Sequence, residues 1–346
     1  MIEECHRGGL RPVYLTARRG ERLAAIAAAH EYRSTADVFT PDHTLLRRFR
    51  KPAVAAGLSF LPALVCGPPK APGRHVRVDA TLSAAERERV TEAVVAAIEA
   101  EAARRKGNVI WRDLLEDEAP LIGLLRRRGY RIVPTPRVAI LDLPPGGFDG
   151  YLARLRTRSR NAACQVRRDL RRLGESGASI RELEDVASRA GDLGALAEKH
   201  YRRLNGKAFP YTGDLFEKLV RHQGSAVRAF GAFRGPDMVG FTLLLHGQST
   251  AHSMFGGIDR SLPGSKAAHF PLHFYTPIRV AIEAGLERID YGKQSLEGKL
   301  RRGCRLAPTH LAFRSPSPLR NALAAAWFRV FRRSIAGATP APRPGR

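Results

Sequence analysis

Between Arg154 and Arg172 the chain carries eight arginines and a single acid, Asp169. On one helix, Leu155, Ala162, Val166 and Leu173 would share a face, with Arg156, Arg160, Arg167, Arg168 and Arg171 on the opposite one. Such a helix packs below and meets phosphates above. A charge run is ordinarily a solvated face, but eight cations with one anion leave few i,i+4 pairs to offset their repulsion, which favours contact with a polyanion. A second anion-holding pattern is Gly264-Ser265-Lys266 at the head of the helical segment Ala267 to Ala284, where backbone N–H groups and an ammonium suit phosphate. The same three residues would serve equally as an ordinary loop and cap. His269 and His273 stand i,i+4, a spacing that also suits a metal. With no third ligand nearby, packing or hydrogen bonding is the expected role, and neither a metal nor another resident cofactor is expected.

The whole chain agrees with these clusters in sign. Over 346 residues, 58 Lys+Arg stand against 33 Asp+Glu, a net +25, and nine lysines among the 58 leave 49 arginines. Such a field favours nucleic acid, nucleotides or an anionic membrane surface. Length and 44% hydrophobic residues indicate a folded chain of two ordinary domains. Cys5, Cys66, Cys164 and Cys304 are far apart with no C-x-x-C, which excludes a zinc knuckle or a dense disulfide framework. The first residues have no basic n-region or apolar h-region, and no apolar run is long enough to span a bilayer, so a cytoplasmic protein with no transmembrane segment is expected.

The positioning elements repeat. Leu143-Pro144-Pro145-Gly146-Gly147 reads as a linker, giving domains 1–143 and 144–315, then a basic amphipathic helix and a disordered tail over 316–346. In the first half Val13–Ala17 and Leu23–Ala29 flank a turn; in the second Val227–Phe233 and Met238–Leu245 do the same. Each hairpin is followed by a helix, a glycine stop and a strand: Leu121–Arg128, Gly129 and Tyr130–Val133, then Pro277–Ala284, Gly285 and Leu286–Tyr291. Ser83 with Glu86 has capping-box spacing and opens a helix over Ser83–Lys106. Hairpin, helix and strand in a mixed sheet is the element order of a GNAT-type acyltransferase. The fold class expected is therefore α/β (α+β): tandem GNAT-like domains, each a mixed, mainly antiparallel sheet flanked by helices.

Specific residues carry a closer resemblance. The helix Phe148 to Asn161, the turn Lys207-Ala208-Phe209-Pro210-Tyr211-Thr212, and the series Ala281–Gly285, Tyr291-Gly292-Lys293-Gln294, Lys299–Gly303 and Pro308-Thr309-His310 resemble Fem-type aminoacyltransferases and the bacterial peptidoglycan biosynthesis/recognition GNAT-like family. The match is more specific in the second half. Gln294 is followed by Ser-Leu-Glu-Gly where the family has Gly, and Cys304 replaces its aromatic residue.

The resemblance implies transfer of an acyl group to an amine, which needs a donor for the carbonyl oxygen, a route for the amine proton and a cradle for donor phosphates. Lys299 is implied as the stabiliser of the carbonyl or a donor phosphate, assisted by Arg302. Asp290, Gln294 and Glu297 lie beside it, with Asp290 or Glu297 as proton acceptor or as ion-pair partners of nearby arginines. The acetyl-coenzyme A cradle Q/R-x-x-G-x-G/A is degenerate at Arg260–Ala267. That degeneracy and the +25 charge favour aminoacyl-tRNA as donor, with a coenzyme A thioester as the alternative and a non-catalytic nucleic-acid or envelope-binding module as the rival of another class. tRNA and a small amine-bearing acceptor are the partners expected. Trp111, Arg112, Tyr211 and His273 are placed on the acceptor side, the first half being read as a copy without site residues. Residues 319–335 are expected to dock their aromatics on the body, the alternatives being to lie on an anionic membrane or to stack on nucleic acid.

Overall fold

A computed structural model describes residues 2–7, 11–33, 41–46, 49–55, 59–67 and 74–336. Its strands in chain order are β1 (Arg11–Arg19), β2 (Arg22–Tyr32), β3 (Ala63–Cys66), β4 (Val76–Val78), β5 (Asn108–Leu115), β6 (Arg131–Asp142), β7 (Ala178–Glu182), β8 (Val227–Arg234), β9 (Asp237–His246), β10 (Thr250–Ile258), β11 (Arg288–Asp290) and β12 (Arg305–Arg314). The helices are α1 (Ile2–Cys5), α2 (Pro41–Leu45), α3 (Arg50–Ala55), α4 (Ala84–Arg104), α5 (Ala119–Arg127), α6 (Gly147–Arg158), α7 (Arg160–Glu175), α8 (Ala190–Asn205), α9 (Leu215–Gln223), α10 (Ser265–Phe270), α11 (Thr276–Glu283), α12 (Leu296–Leu300) and α13 (Pro318–Ala336). A π-helical turn, Pro271–Tyr275, joins α10 to α11.

The chain forms two compact units, and each takes a piece from the far end of the sequence. One comprises Gly8–Arg137 with Ala307–Arg346, the other Met1–Arg7 with Val138–Leu306. The linker expected at Leu143 thus lies inside the second unit. Turn residues mark a bend in the chain, whereas the division follows where side chains pack.

In the first unit β1 and β2 form the expected hairpin, β3 runs antiparallel to β2 and parallel to β5, and β12 pairs antiparallel with β5. Alternation places Ala25, Ala27 and Ala29 of β2 inward. These alanines accept Val94, Val95, Ile98 and Ala102 of α4, which with Trp111 and Leu125 make one core. The capping box of α4 is formed: Ser83 N donates to Glu86 Oε2 at 3.0 Å and Glu86 N to Ser83 Oγ at 3.3 Å. Strand β6 extends past Val133, where the expected strand ended, and continues through Pro134 and Pro136. Thr135, buried between the prolines, bonds Thr309 Oγ1 at 2.7 Å, and Thr309 Oγ1 donates to Pro136 O at 2.9 Å. Side chains replace the missing ladder donors.

In the second unit the order is β6-β11-β10-β9-β8-β7, antiparallel except for the parallel pair β10–β11. That pair has only three rungs, Thr250 with Arg288, Ala251 with Ile289 and His252 with Asp290. Beyond His252 the ladder stops and β10 continues to Ile258. The carboxyl ends of parallel strands that part in this way are where α/β sheets bind ligands. Short α1 packs here, with Thr212 N donating to Cys5 O at 2.7 Å.

The arginine-rich segment is two helices and not one. Ser159, with φ −162°, ends α6 and caps α7 by accepting from Ala162 N. Serine competes for backbone donors, so it interrupts a helix that the flanking residues would continue. Helix α13 forms over the expected residues; the tail beyond Ala336 lies outside the described residues. No described helix is long and apolar enough to cross a membrane.

Candidate active site

Two groups of functional side chains assemble, both within the second unit. The first is built on α7. Arg156 at the end of α6 and Arg160, Arg167, Arg168 and Arg171 of α7 are all exposed. Arg160, Arg167 and Arg171 fall on one line of the α7 surface about 16 Å long, with exposed Cys164 between them. Asp169, the only acid among the arginines, lies on the opposite, buried face. Its Oδ2 accepts from the Tyr275 hydroxyl at 2.7 Å and from Arg302 Nη2 at 3.3 Å, and its Oδ1 from Gln165 Nε2 at 2.6 Å. Only Arg171 meets another acid of the helix, Glu175, at 3.5 Å across a solvated surface.

Arg302 is a framework residue, which corrects the expectation that it assists at a phosphate. It is 6% exposed, stacks on Phe270 at 3.3 Å from the ring centroid, and donates from Nη1 to Gly298 O at 3.0 Å. Its guanidinium holds a carboxylate, a carbonyl and a ring, with Nε buried and without a partner, so its contacts are to the framework.

Lys266 stands at the head of α10, against α7. Gln165, Asp169, Arg172, Glu175, Ser176, Lys266 and Phe270 line a cleft of about 450 Å³. Of the arginine run only Arg172 lines this cleft with Lys266, whereas Arg160, Arg167 and Arg171 lie on another side of α7. Gly264, with φ +81°, closes the loop before it, and Ser265 is buried with an unpartnered Oγ.

The second group lies at the end of the β10–β11 ladder. Asp290 is buried, and its Oδ1 accepts from Gly292 N at 2.7 Å, fixing the turn that leaves β11. Lys299 of α12 is 8% exposed; its Nζ donates to Tyr291 O and, at 3.3 Å, to Gly292 O. Burial pushes this lysine down to about 8, partly opposed by the thiol of Cys304 and by Asp290. Opposite Asp290 stands His252, its Nδ1 3.5 Å from Asp290 Oδ2. Nδ1 is shut away from solvent while the side chain as a whole keeps 25% exposure, so the open part of the ring lies elsewhere on it. Nδ1 forms no hydrogen bond, so Asp290 is a neighbouring charge and not a hydrogen-bonded anchor; a partly exposed imidazole beside a buried carboxylate is a candidate proton acceptor. Sequence reading missed His252 because the pairing register that brings it to Asp290 is not visible in either strand alone.

The remaining candidates are elsewhere. Gln294 is exposed in the loop after β11, and Glu297 points to solvent in an i,i+4 pair with Arg301 at 2.7 Å. Trp111 has no exposed surface and belongs to the first unit's core, so it cannot touch an acceptor. Arg112 beside it lies 3.2 Å from Asp113 Oδ2, and its carbonyl accepts from His75 Nε2 at 2.5 Å. Tyr211, 1% exposed, packs among Phe209, Phe255 and His6. Aromatic residues near a family-like turn read as ligand contacts in sequence, but here their area is spent on packing. His273 sits in the π-helical turn against Gly256, where a Cβ would come within 2.9 Å of its Cε1. Burial and the neighbouring His269 and His200 hold it well below the ordinary imidazole value. Among the described residues no His, Cys, Asp and Glu group has metal-binding geometry.

The FemAB-like family profile, described as peptidoglycan biosynthesis/recognition, matches residues 4–337. No curated protein matches the chain. Among solved structures the chain is similar to FemX, with 11% identity, 94% of this chain and 91% of that one covered, and a TM-score of 0.57. It is also similar to the C-terminal domain of a putative lysylphosphatidylglycerol synthetase from Agrobacterium fabrum, with 15% identity, coverage of 80% and 84%, and a TM-score of 0.52. A mixed, mainly antiparallel arrangement of strands flanked by helices, as expected from the element order, is thus the fold of this chain, and it is similar to that of FemX. The chain belongs to the FemAB-like family of peptidoglycan biosynthesis and recognition.

Proposed function

We propose that the protein transfers an aminoacyl group from aminoacyl-tRNA to an amine of a cell-envelope precursor, on the cytoplasmic side where tRNA is found. The observation that carries this reading is the line Arg160, Arg167 and Arg171, exposed with Asp169 turned inward to Tyr275 and Arg302 and with only Arg171 facing an acid of the helix, Glu175. Its length of about 16 Å spans two to three phosphates of a strand. Membership of a peptidoglycan family supports an envelope acceptor, and the likeness to a lysylphosphatidylglycerol synthetase domain supports aminoacyl transfer.

In this reading the acceptor amine attacks the carbonyl carbon of the aminoacyl ester. A C–N bond forms, the C–O bond to the ribose breaks, and the ribose hydroxyl leaves. The Lys299 ammonium spends two N–H groups on Tyr291 O and Gly292 O and has one more for the carbonyl oxygen as it gains charge. The exposed part of His252 takes the amine proton and returns it to the departing ribose oxygen, and the Asp290 carboxylate beside the ring favours the protonated form in between. The ester is already activated, so positioning and charge stabilisation suffice.

The test uses Cys164, exposed within the arginine line while Cys5, Cys66 and Cys304 are buried. Unmodified full-length protein is treated with a maleimide with and without tRNA. Protection of Cys164 by tRNA, abolished at high salt, is expected. Labelling of Cys164 unaffected by tRNA would remove the arginine line as the donor surface.

A further inference from the structure

Helix α13 docks one apolar face and leaves a second apolar stripe, displaced by roughly 120° around the helix, exposed. The inner face is docked on the first unit. Ala324, Phe328 and Ile335 are buried, Phe328 stacks on Phe60 at 5.5 Å with 5° between the rings, and Trp327 Nε1 donates to Leu45 O at 3.0 Å. On the outer face Leu319 is 69% exposed, Leu323 48% and Val330 72%, with exposed Ala326 between them. The spacing i, i+4, i+7, i+11 makes these four a straight stripe about 16 Å long. A hundred degrees per residue puts exposed Arg320 on one flank of the stripe and exposed Arg329 on the other. The helix Pro318–Ala336 contains no acid.

We infer that this outer face docks on an anionic lipid surface. A helix lying in a bilayer interface inserts an apolar stripe and sets cations on both borders at the depth of the phosphates, which is the pattern observed. A second copy of the chain fits the face less well. An isologous contact would bring the same arginines and no acid from each partner, and like charges would meet at the border. The inner docking holds the helix on the body with the stripe outward, so no refolding precedes contact. This inference stands apart from the proposed reaction, since it concerns where the protein sits and involves neither donor nor acceptor.

The experiment is flotation of the full-length protein with vesicles of phosphatidylcholine alone and of phosphatidylcholine mixed with phosphatidylglycerol, without tRNA. Binding to the mixed vesicles only is expected. Because the chain carries +25, adsorption through other basic surfaces must be separated from insertion, and the variant Leu319→Ser/Leu323→Ser/Val330→Ser does so by keeping every charge. It should melt like the wild type, since all three side chains are exposed, and should bind vesicles at least tenfold more weakly. Arg320→Gln/Arg329→Gln should weaken binding about fivefold per arginine, an effect that fades in high salt. Full binding by the serine variant would overturn the inference. A wild-type dimer that dissociates in the serine variant, with no vesicle binding by either, would overturn it and assign the face to a second copy.

Discussion

The Nζ of Lys299 donates to the carbonyl oxygens of both Tyr291 and Gly292, so the lysine of α12 also holds the turn that leaves β11. Its role is therefore double, structural through two N–H groups and chemical through the third. Lys299→Met keeps the volume and removes the ammonium. Leaving two carbonyls unpaired should cost about 1–3 kcal/mol of stability, visible in thermal melting. Transfer at saturating donor should fall by about one to three orders of magnitude in protein that is still folded.

The pH dependence follows from the same residue. Below about 8 the lysine is charged and able to hold an oxyanion; above it the charge is lost. Rate at saturating substrates is expected to decline as pH rises through about 8. Measured in Lys299→Met, the small residual rate should lack that alkaline limb. A limb that persists would assign it to another group.

His252→Ala should reduce transfer by roughly two to four orders of magnitude, the usual loss for a positioned proton acceptor. Added imidazole should restore part of it, which a purely structural histidine would not permit. Asp290→Asn should act more weakly on rate and also loosen the turn that Gly292 N anchors.

Reversing Arg160, Arg167 and Arg171 to Glu should leave melting unchanged, because all three are exposed. Affinity for tRNA should fall, and the slope of log K against log salt should flatten by about 3, close to one unit for each phosphate no longer neutralised. Unchanged affinity in the folded variant would remove α7 as the donor surface.

Stability should decline on mild acidification. Burial lowers His200 and His273 and pushes His269 down to about 4, so these rings are neutral in the fold. The unfolded chain binds protons on them from about pH 6.5 downward, so unfolding becomes easier as pH falls from 6.5 toward 4. His269→Gln should reduce the slope of melting temperature over that window. An unaltered slope would show that other groups set it.

The hairpins, the α4 capping box and the glycine stops were legible because each depends on a few adjacent residues, and the structure has them at those positions. The helix break at Ser159 was less legible, since a cap and a mid-helix serine look alike until backbone geometry decides. Asp169 reads in sequence as part of a charged surface. Only the arrival of Tyr275 and Arg302, more than a hundred residues later, turns it inward. The pair His252 and Asp290 was half visible: the acid drew notice by its place at a strand end, and the histidine needed the register of a three-rung parallel ladder. Trp111, Tyr211 and Arg302 show the opposite failure, in which residue types common at binding sites are used for packing and framework.

The exchange of terminal segments has a consequence for synthesis. The second unit is complete once Leu306 has been made, whereas the first unit, begun at Gly8, still lacks nearly all of β12 and the whole of α13. Strand β5 must therefore leave the ribosome with its β12 edge uncovered and wait through the making of roughly two hundred residues for its partner. The unit that holds most of the first third of the chain is the last that can close, and until then its unpaired edge is the part of the nascent chain most in need of protection from other strands.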